Sequence, residues 1–195
     1  MELMVVFAIM AIMTAISIAM TSNNKERKDL EIAAREVAQS IRQMQNNALT
    51  GKLPTTSSSA YACGYVFVLG IVNGGASNQY RSGYVSKSVP ADCSSSTANI
   101  SSLNLVTLKS GINFSGSSPQ AFYFNLPRGV IFYKNTYDDS VHQFDLSVGN
   151  EMASGDKQTI TLEPSTGDLR ADICVYASGK IQEGSIRKTA DTPDC

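Results

Sequence analysis

The first 50 residues contain neither glycine nor proline, and this absence constrains the fold more than any other feature of the chain. Residues 1–20 are almost entirely apolar, and Glu2 is their only charged residue. Twenty helical residues rise about 30 Å, which matches the hydrocarbon core of a bilayer. Because the start is acidic and no small-residue cleavage site follows, a signal peptide is disfavoured. We predict that residues 1–20 form the apolar, transmembrane half of a helix.

Residues 21–50 continue the helical pattern with charged and polar residues. Apolar residues recur there at steps of three and four, which places them on one face of a helix. Gly51 and Pro54 end the pattern, as expected at a helix C-terminus. The sequence therefore predicts one helix of about 75 Å, whose second half packs on a sheet through Leu30, Ala34, Val37, Ile41, Met44 and Ala48.

The remainder of the chain has the composition of a β-rich head. We assign residues 51–60 to a linker and residues 61–195 to the head. In residues 64–70 both sets of alternating positions are apolar, and the two sets point to opposite faces of a strand. This pattern predicts a strand buried on both faces. Short runs between turn residues favour antiparallel pairing; the predicted strands are 64–70, 80–86, 103–108, 121–125, 129–133, 158–162 and 173–176. The expected fold class is α+β, with a long N-terminal helix packed on an antiparallel β-sheet.

Four cysteines lie in the predicted head, and none is in a metal-ligand spacing. An even number of cysteines in a Ser/Thr-rich domain behind a membrane segment favours disulfides in an oxidising compartment. Of the three possible pairings, the closest in sequence are Cys63–Cys93 and Cys174–Cys195. Each would close a loop of a few tens of residues, worth about 3 kcal/mol.

The chain lacks the residue constellations of known catalytic chemistry. His142 is its only histidine, and a single histidine in a strand-like sequence such as Val-His-Gln-Phe is more often structural than catalytic. Asp138, Asp139 and Asp145 could contribute to a cation site, but a solvated turn explains them better. We therefore expect no catalytic residues, no metal and no cofactor, and a protein that is not an enzyme. The formal net charge of −1 gives no indication of nucleic-acid binding.

The run from Glu2 to Ile12 (ELMVVFAIMAI) resembles the N-terminal helix of type IV pilins and type II secretion pseudopilins. In that family a glutamate near the N-terminus precedes a long, unbroken apolar helix. The residues at 34–38 and 47–49 are similar to the minor-pseudopilin variety. The basic leader of the family is not present, and we expect that the N-terminus is trimmed, so N-methylation cannot be read from the chain.

The resemblance implies a helical filament, built from many copies of the chain, on the bacterial surface, serving adhesion, twitching motility or DNA uptake. Glu2 would be the assembly residue, neutralising the N-terminal amine of a neighbouring subunit. The filament core would be formed by Leu3, Val5, Val6, Phe7, Ile9 and Ile12. The implied partners are the prepilin peptidase, the pilus assembly machinery of the inner membrane, and the membrane itself before assembly.

Two other functions fit the same pattern. The chain could be a minor pseudopilin of a type II secretion system, or a single-pass membrane protein with an independent binding domain. Lys25, Arg27 and Lys28 follow the apolar segment, and the positive-inside rule alone would place the head in the cytoplasm. The family orientation places it outside.

Overall fold

The computed structural model of the chain describes residues 2–52, 61–69, 78–87, 97–116, 120–125, 130–134, 143–146, 150–192 and 195. One helix, α1, spans Glu2–Thr50. The surroundings of its side chains are described for 4–7, 9–14 and 24–50. The predicted linker, 51–60, lies outside the described residues except for its first two positions.

The rest of the described chain is β-structure in two antiparallel sheets. The strands are β1 (Tyr61–Leu69), β2 (Gln79–Lys87), β3 (Thr97–Thr107), β4 (Ile112–Phe114), β5 (Gln120–Asn125), β6 (Ile131–Lys134), β7 (Gln143–Asp145), β8 (Lys157–Pro164), β9 (Leu169–Tyr176), β10 (Ile181–Glu183) and β11 (Arg187–Lys188). Sheet one has the order β6-β5-β1-β2-β3-β7, and sheet two has the order β10-β9-β8-β4, with β11 paired to β9.

Helix α1 ends at a glycine in the left-handed conformation, where the sequence predicted its end. Gly51 has φ +61°, a conformation that costs a glycine little because it has no Cβ. The amide of Lys52 donates to the carbonyl of Asn47 at 3.1 Å, and the amide of Gly51 donates to that of Ala48 at 3.4 Å. These two bonds satisfy carbonyls that the last helical turn leaves free.

Strand β1 lies inside sheet one and is buried on both faces, which confirms that prediction. It pairs with β2 on one side and β5 on the other. Tyr65 and Phe67 face one hydrophobic cluster, together with α1 and sheet two, whereas Val66 and Val68 face a second cluster with Phe144. Because successive residues of a strand point to opposite faces, a continuous apolar run is what two buried faces require.

The second half of α1 packs against both sheets. It contacts β1 and β5 of sheet one and β4, β8, β9 and β10 of sheet two. The side chains of Leu30, Val37 and Ile41 are fully buried in the cluster that joins the helix to the two sheets. Small residues at Ala33 and Ala38, also buried, bring the helix backbone close to the strands.

The predicted fold class, an α+β arrangement of a long helix lying on one antiparallel sheet, was wrong. The fold is largely β and its strands divide between two sheets; among the side chains of α1 that the structure describes, those that pack against the sheets lie between 24 and 50. Each of the seven predicted strands overlaps an observed one, but β4, β7, β10 and β11 were missed. These strands have two or three residues each, too few to show a period of two.

Candidate assembly surface

The described part of α1 before Asn24 exposes apolar side chains in every direction. Positions 4–7 and 9–14 are all exposed, from 80% for Met4 to 49% for Val6. Consecutive helical residues are separated by about 100°, so ten positions cover the whole circumference. We call residues 4–13 the apolar segment; its large exposed side chains are Met4, Val5, Val6, Phe7, Ile9, Met10, Ile12 and Met13.

Two residues of the predicted assembly site are described only by their backbone. Glu2 and Leu3 lie in the first turn of α1, and their side chains are outside the described residues. Of the predicted filament-core residues, Val5, Val6, Phe7, Ile9 and Ile12 lie in the apolar segment and are exposed. The sequence holds no charge between Glu2 and Lys25.

In the part of the chain that the structure describes, no helix is both long enough and apolar enough to cross a membrane. The predicted membrane segment, residues 1–20, falls partly outside that part, since the side chains of 15–20 are not described.

The residues predicted to pack the helix on a sheet lie together on its buried face. Leu30, Ala34, Val37, Ile41 and Ala48 are buried, and Met44 is half-buried against the same cluster. The stripe is wider than the sequence analysis proposed, because Ala33 and Ala38 are buried as well. A helix that contacts two sheets is covered on both flanks, so it needs a broader apolar face than one lying on a single sheet.

Polar side chains of α1 hold the last strand of sheet two. The Arg42 guanidinium donates to Oε1 of Glu183 at 2.8 Å and to the carbonyl of Ile181 at 3.1 Å. The Gln45 amide donates to the carbonyl of Gly179 at 2.8 Å, in the turn between β9 and β10. Since β10 is an edge strand, these bonds occupy backbone groups that would otherwise be open to pairing with another chain.

A tyrosine of sheet one contacts the opposite flank of the helix. The Tyr80 hydroxyl lies 2.9 Å from the Ser40 hydroxyl and donates to Oε1 of Glu36 at 3.3 Å. Burial raises the pKa of Tyr80; the Ser40 hydroxyl lowers the pKa and the Glu36 carboxylate raises it further. The ring also stacks on Phe67, with 5.1 Å between ring centroids.

Between the apolar segment and the packed stripe, the acidic side chains of α1 bind the head, whereas the basic side chains are exposed. The Asp29 carboxylate pairs with Lys109 of the head at 2.6 Å, and the Glu26 carboxylate accepts from the Thr166 hydroxyl at 3.4 Å. Lys25, Arg27 and Lys28 are exposed. We call Lys25 and Lys28 the basic pair; Arg27 lines a groove of about 250 Å³ with Glu31 and Glu183.

The C-terminal part of the head is closed by a disulfide and a buried ion pair. Cys174 and Cys195 form a disulfide with their Cα atoms 6.0 Å apart. Cys63 is also disulfide-bonded, and its predicted partner, Cys93, lies outside the described residues. The Arg187 guanidinium pairs with the carboxylate of Asp172, which is 1% exposed and accepts from the Thr161 hydroxyl at 2.7 Å.

The other sequence candidates do not form a site in the described chain. His142, Asp138 and Asp139 lie outside the described residues, and Asp145 ends β7 with its side chain undescribed. Across the residues that are described, no three His, Cys, Asp or Glu side chains are placed to hold a metal ion together.

Comparison of the chain with protein-family models, with curated proteins and with solved structures finds no match.

The contacts between α1 and the edge of sheet two are not visible in the sequence. Arg42 lies off the predicted apolar stripe, and its partners, Ile181 and Glu183, are some 140 positions away. Gly179, with φ +84°, is marked as a turn by its sequence context, Ala-Ser-Gly-Lys. Nothing local indicates that Gln45 occupies the space beside it.

Proposed function

We propose that the chain is the structural subunit of a type IV pilus-like filament on the bacterial surface, polymerising through its apolar segment. The observation that carries the proposal is that eight large apolar side chains of α1 are about half or more exposed while the head closes its core without them. Covering them would contribute on the order of 10 kcal/mol, at about 1.5 kcal/mol or more for each side chain. An exposed apolar surface of this kind marks an interaction site.

The distribution of these side chains favours copies of the same helix as the cover. A partner with a groove would bury one side of α1 and leave the other side exposed to solvent. Lipid covers all sides before assembly, and a bundle of like helices covers all sides afterwards. The resemblance to pilins adds that Glu2 neutralises the N-terminal amine of a neighbouring subunit, which would remove the cost of an isolated acid in an apolar bundle.

The direct test replaces two large side chains of the apolar segment with serine. The filament yield of this variant is compared with that of a variant carrying a matched pair of serine substitutions elsewhere on α1. In cells with the assembly machinery, Phe7→Ser combined with Ile9→Ser should abolish sheared surface filaments. The control combines Ile32→Ser with Leu49→Ser, which are 58% exposed on the packed half, and should assemble normally. Equal filament yields from both variants would refute assembly through the apolar segment.

A second test isolates the charge of Glu2. Glu2→Gln keeps the size of the side chain and removes its negative charge. We expect normal amounts of the variant in the membrane fraction, with a reduced yield of filaments. Wild-type filament yield would remove the assembly role of Glu2 without affecting the role of the apolar segment.

Two alternatives make different predictions in the same cells. A minor pseudopilin of a secretion system would be scarce in sheared filaments and required for secretion. A membrane-anchored binding domain would give only monomers on cross-linking, even when the assembly machinery is present.

A further inference from the structure

The charged run that follows the apolar segment is nearly balanced in sequence but not in space. It contains three bases and two acids, Lys-Glu-Arg-Lys-Asp at 25–29. Both acids are half-buried and bind the head, Glu26 through Thr166 and Asp29 through Lys109. All three bases are exposed. The surface that the run presents to solvent is therefore basic.

Helical geometry explains this separation. The buried face of α1 is centred on Leu30, Val37 and Ile41. At about 100° per residue, Lys25 and Lys28 point roughly 140° and 160° away from that face, whereas Glu26 lies within about 40° of it. Among the described residues, neither lysine of the basic pair has an ion-pair or hydrogen-bond partner. Lys28 thus projects from the side of the helix that the head does not cover, and Lys25 lies at the edge of a groove of about 270 Å³ between α1 and the head, beside Asp29 and Thr166.

The position of the basic pair along α1 points to the chemistry of its partner. Lys25 lies 12 residues, or about 18 Å, beyond Met13, and the intervening sequence holds no charge. If lipid covers residues 1–20, which rise about 30 Å, Lys25 stands about 7 Å beyond the end of that cover. Lysine stems can lie along apolar surface while their ammonium groups reach the polar layer. Phosphates of anionic lipids are the groups of opposite charge at that level.

We infer that Lys25 and Lys28 bind the headgroups of anionic phospholipids and hold the subunit at a negatively charged bilayer surface. The inference rests on the proposed function, since it applies to the subunit in the membrane before assembly. Asp29 is neutralised by Lys109 of the head, so only Glu26, which accepts from the Thr166 hydroxyl, opposes the attraction of the lysines to lipid. Each lysine near an anionic surface strengthens binding about fivefold, so the basic pair contributes about 30-fold.

The test uses the full chain diluted from detergent and titrated with vesicles, with the bound fraction measured by flotation. One set of vesicles is phosphatidylcholine, and the other contains roughly a third phosphatidylglycerol. Lys25→Gln combined with Lys28→Gln should weaken binding to the anionic vesicles about 30-fold and leave binding to the neutral vesicles unchanged. High salt should remove the preference of the wild type, because it screens exposed charges.

A matched control separates local attraction from net charge. Lys52→Gln combined with Lys180→Gln makes the same charge change at exposed positions. Lys52 lies about 40 Å from Lys25 along the helix direction, and Lys180 lies in the turn that Gln45 contacts. This control should bind anionic vesicles like the wild type. The basic-pair variant should melt at the same temperature as the wild type, since neither lysine has an ion-pair or hydrogen-bond partner among the described residues. The control also removes the contact of Lys180 with the Tyr176 ring, whose centroid is 5.2 Å away, so its melting temperature is measured separately.

Three results would overturn the inference: equal binding of the wild type to both kinds of vesicle, an unchanged preference in the double variant, or no binding to either kind. A loss of the preference in both double variants alike would assign it to net charge and would also overturn the inference. Filament yield is measured separately in cells. A chain that prefers anionic vesicles but forms no filaments would refute the proposed function alone, and filaments without lipid preference would refute only the role of the basic pair.

Discussion

The two ends of α1 belong to one helix but differ in what covers them. From 24 to 50 the helix has an apolar stripe on one face, and that stripe is buried between two sheets of the same chain. From 4 to 7 and from 9 to 13 the side chains are apolar in every direction and exposed. A stripe can be completed by one partner on one side, whereas a fully apolar helix needs cover all round. The difference teaches that the first segment presents an apolar surface that the described part of the head does not cover.

The largest expected effect is on the stability of the head, when an isoleucine is replaced by alanine in the packed half of α1 and, for comparison, in the apolar segment. Ile41→Ala should destabilise the head by about 2–5 kcal/mol, because the side chain is fully buried and its removal leaves a cavity. Ile9→Ala should change head stability by less than about 0.5 kcal/mol, as expected for an exposed site. Denaturant unfolding followed by tyrosine near-ultraviolet circular dichroism measures both. Comparable losses would show that the apolar segment is part of the fold of the head.

A smaller effect should follow from crowding the contact between α1 and the turn before β10. Gly179 has φ +84°, and a Cβ at this position would lie 2.4 Å from Nε2 of Gln45. Gly179→Ala should cost about 2 kcal/mol, from backbone strain and from the lost Gln45 hydrogen bond. Gly155→Ala is the matched control, since Gly155 has φ +96° but nothing within 4 Å of the added carbon; it should cost about 1 kcal/mol, from strain alone.

If the two glycine variants unfold at the same denaturant concentration, the Gln45 contact contributes nothing. Combining Gly179→Ala with Gln45→Ala separates the two causes further. The double variant should be no less stable than Gly179→Ala, because the hydrogen bond is already lost in the single variant.

The ion pair between α1 and β10 should contribute about 1 kcal/mol or less, since the side chains of Arg42 and Glu183 are 42% and 29% exposed. Arg42→Met keeps most of the apolar stem and removes the charge and both bonds to β10. Arg35→Met is the control: Arg35 pairs with Glu31 within the helix, a contact worth about 0.3–0.5 kcal/mol. Hydrogen exchange of the β10 amides should rise in the Arg42 variant and not in the Arg35 variant. A rise in both would mean that the helix, and not the ion pair, protects this edge.

The outcomes of the sequence analysis follow from the range over which each interaction acts. The stripe through Leu30, Val37 and Ile41 was visible because helical period is a local property, and Gly51 marked the helix end for the same reason. Residues 64–70 indicated a strand with two buried faces because no polar residue interrupts them. These predictions needed only neighbouring residues.

Long-range pairing was not visible in the same way. Strand β8 pairs with β9 and β4 rather than joining sheet one, and no local pattern states which strands share a sheet. Strands as short as Ile181–Glu183 and Arg187–Lys188 have no period to detect. The bonds from Arg42 and Gln45 to the edge of sheet two join residues more than 130 positions apart, so they too required the structure.

The smallest expected effect is a loss of hydrogen-exchange protection in α1 in alkaline solution, caused by a change in the contact between Tyr80 and the helix. Burial raises the pKa of Tyr80 above the ordinary value of about 10. A raised pKa in the folded state means that the contribution of Tyr80 is complete below pH 10 and is lost as the pH rises through the folded pKa. While it is neutral, the Tyr80 hydroxyl donates a hydrogen bond to the Glu36 carboxylate at 3.3 Å. After ionisation the phenolate faces that carboxylate with a like charge, and the two groups repel each other.

Hydrogen exchange of the α1 amides around Glu36 tests this contact, after correction for the intrinsic pH dependence of exchange. In the wild type, protection should begin to fall only above about pH 10, whereas Tyr80→Phe should remove most of that fall. Tyr133→Phe is the matched control, because burial also raises the pKa of Tyr133 but its ring packs on Phe122 within sheet one. That control should lose protection like the wild type. If Tyr80→Phe behaves in the same way, the ionisation of Tyr80 does not govern how the second half of α1 docks.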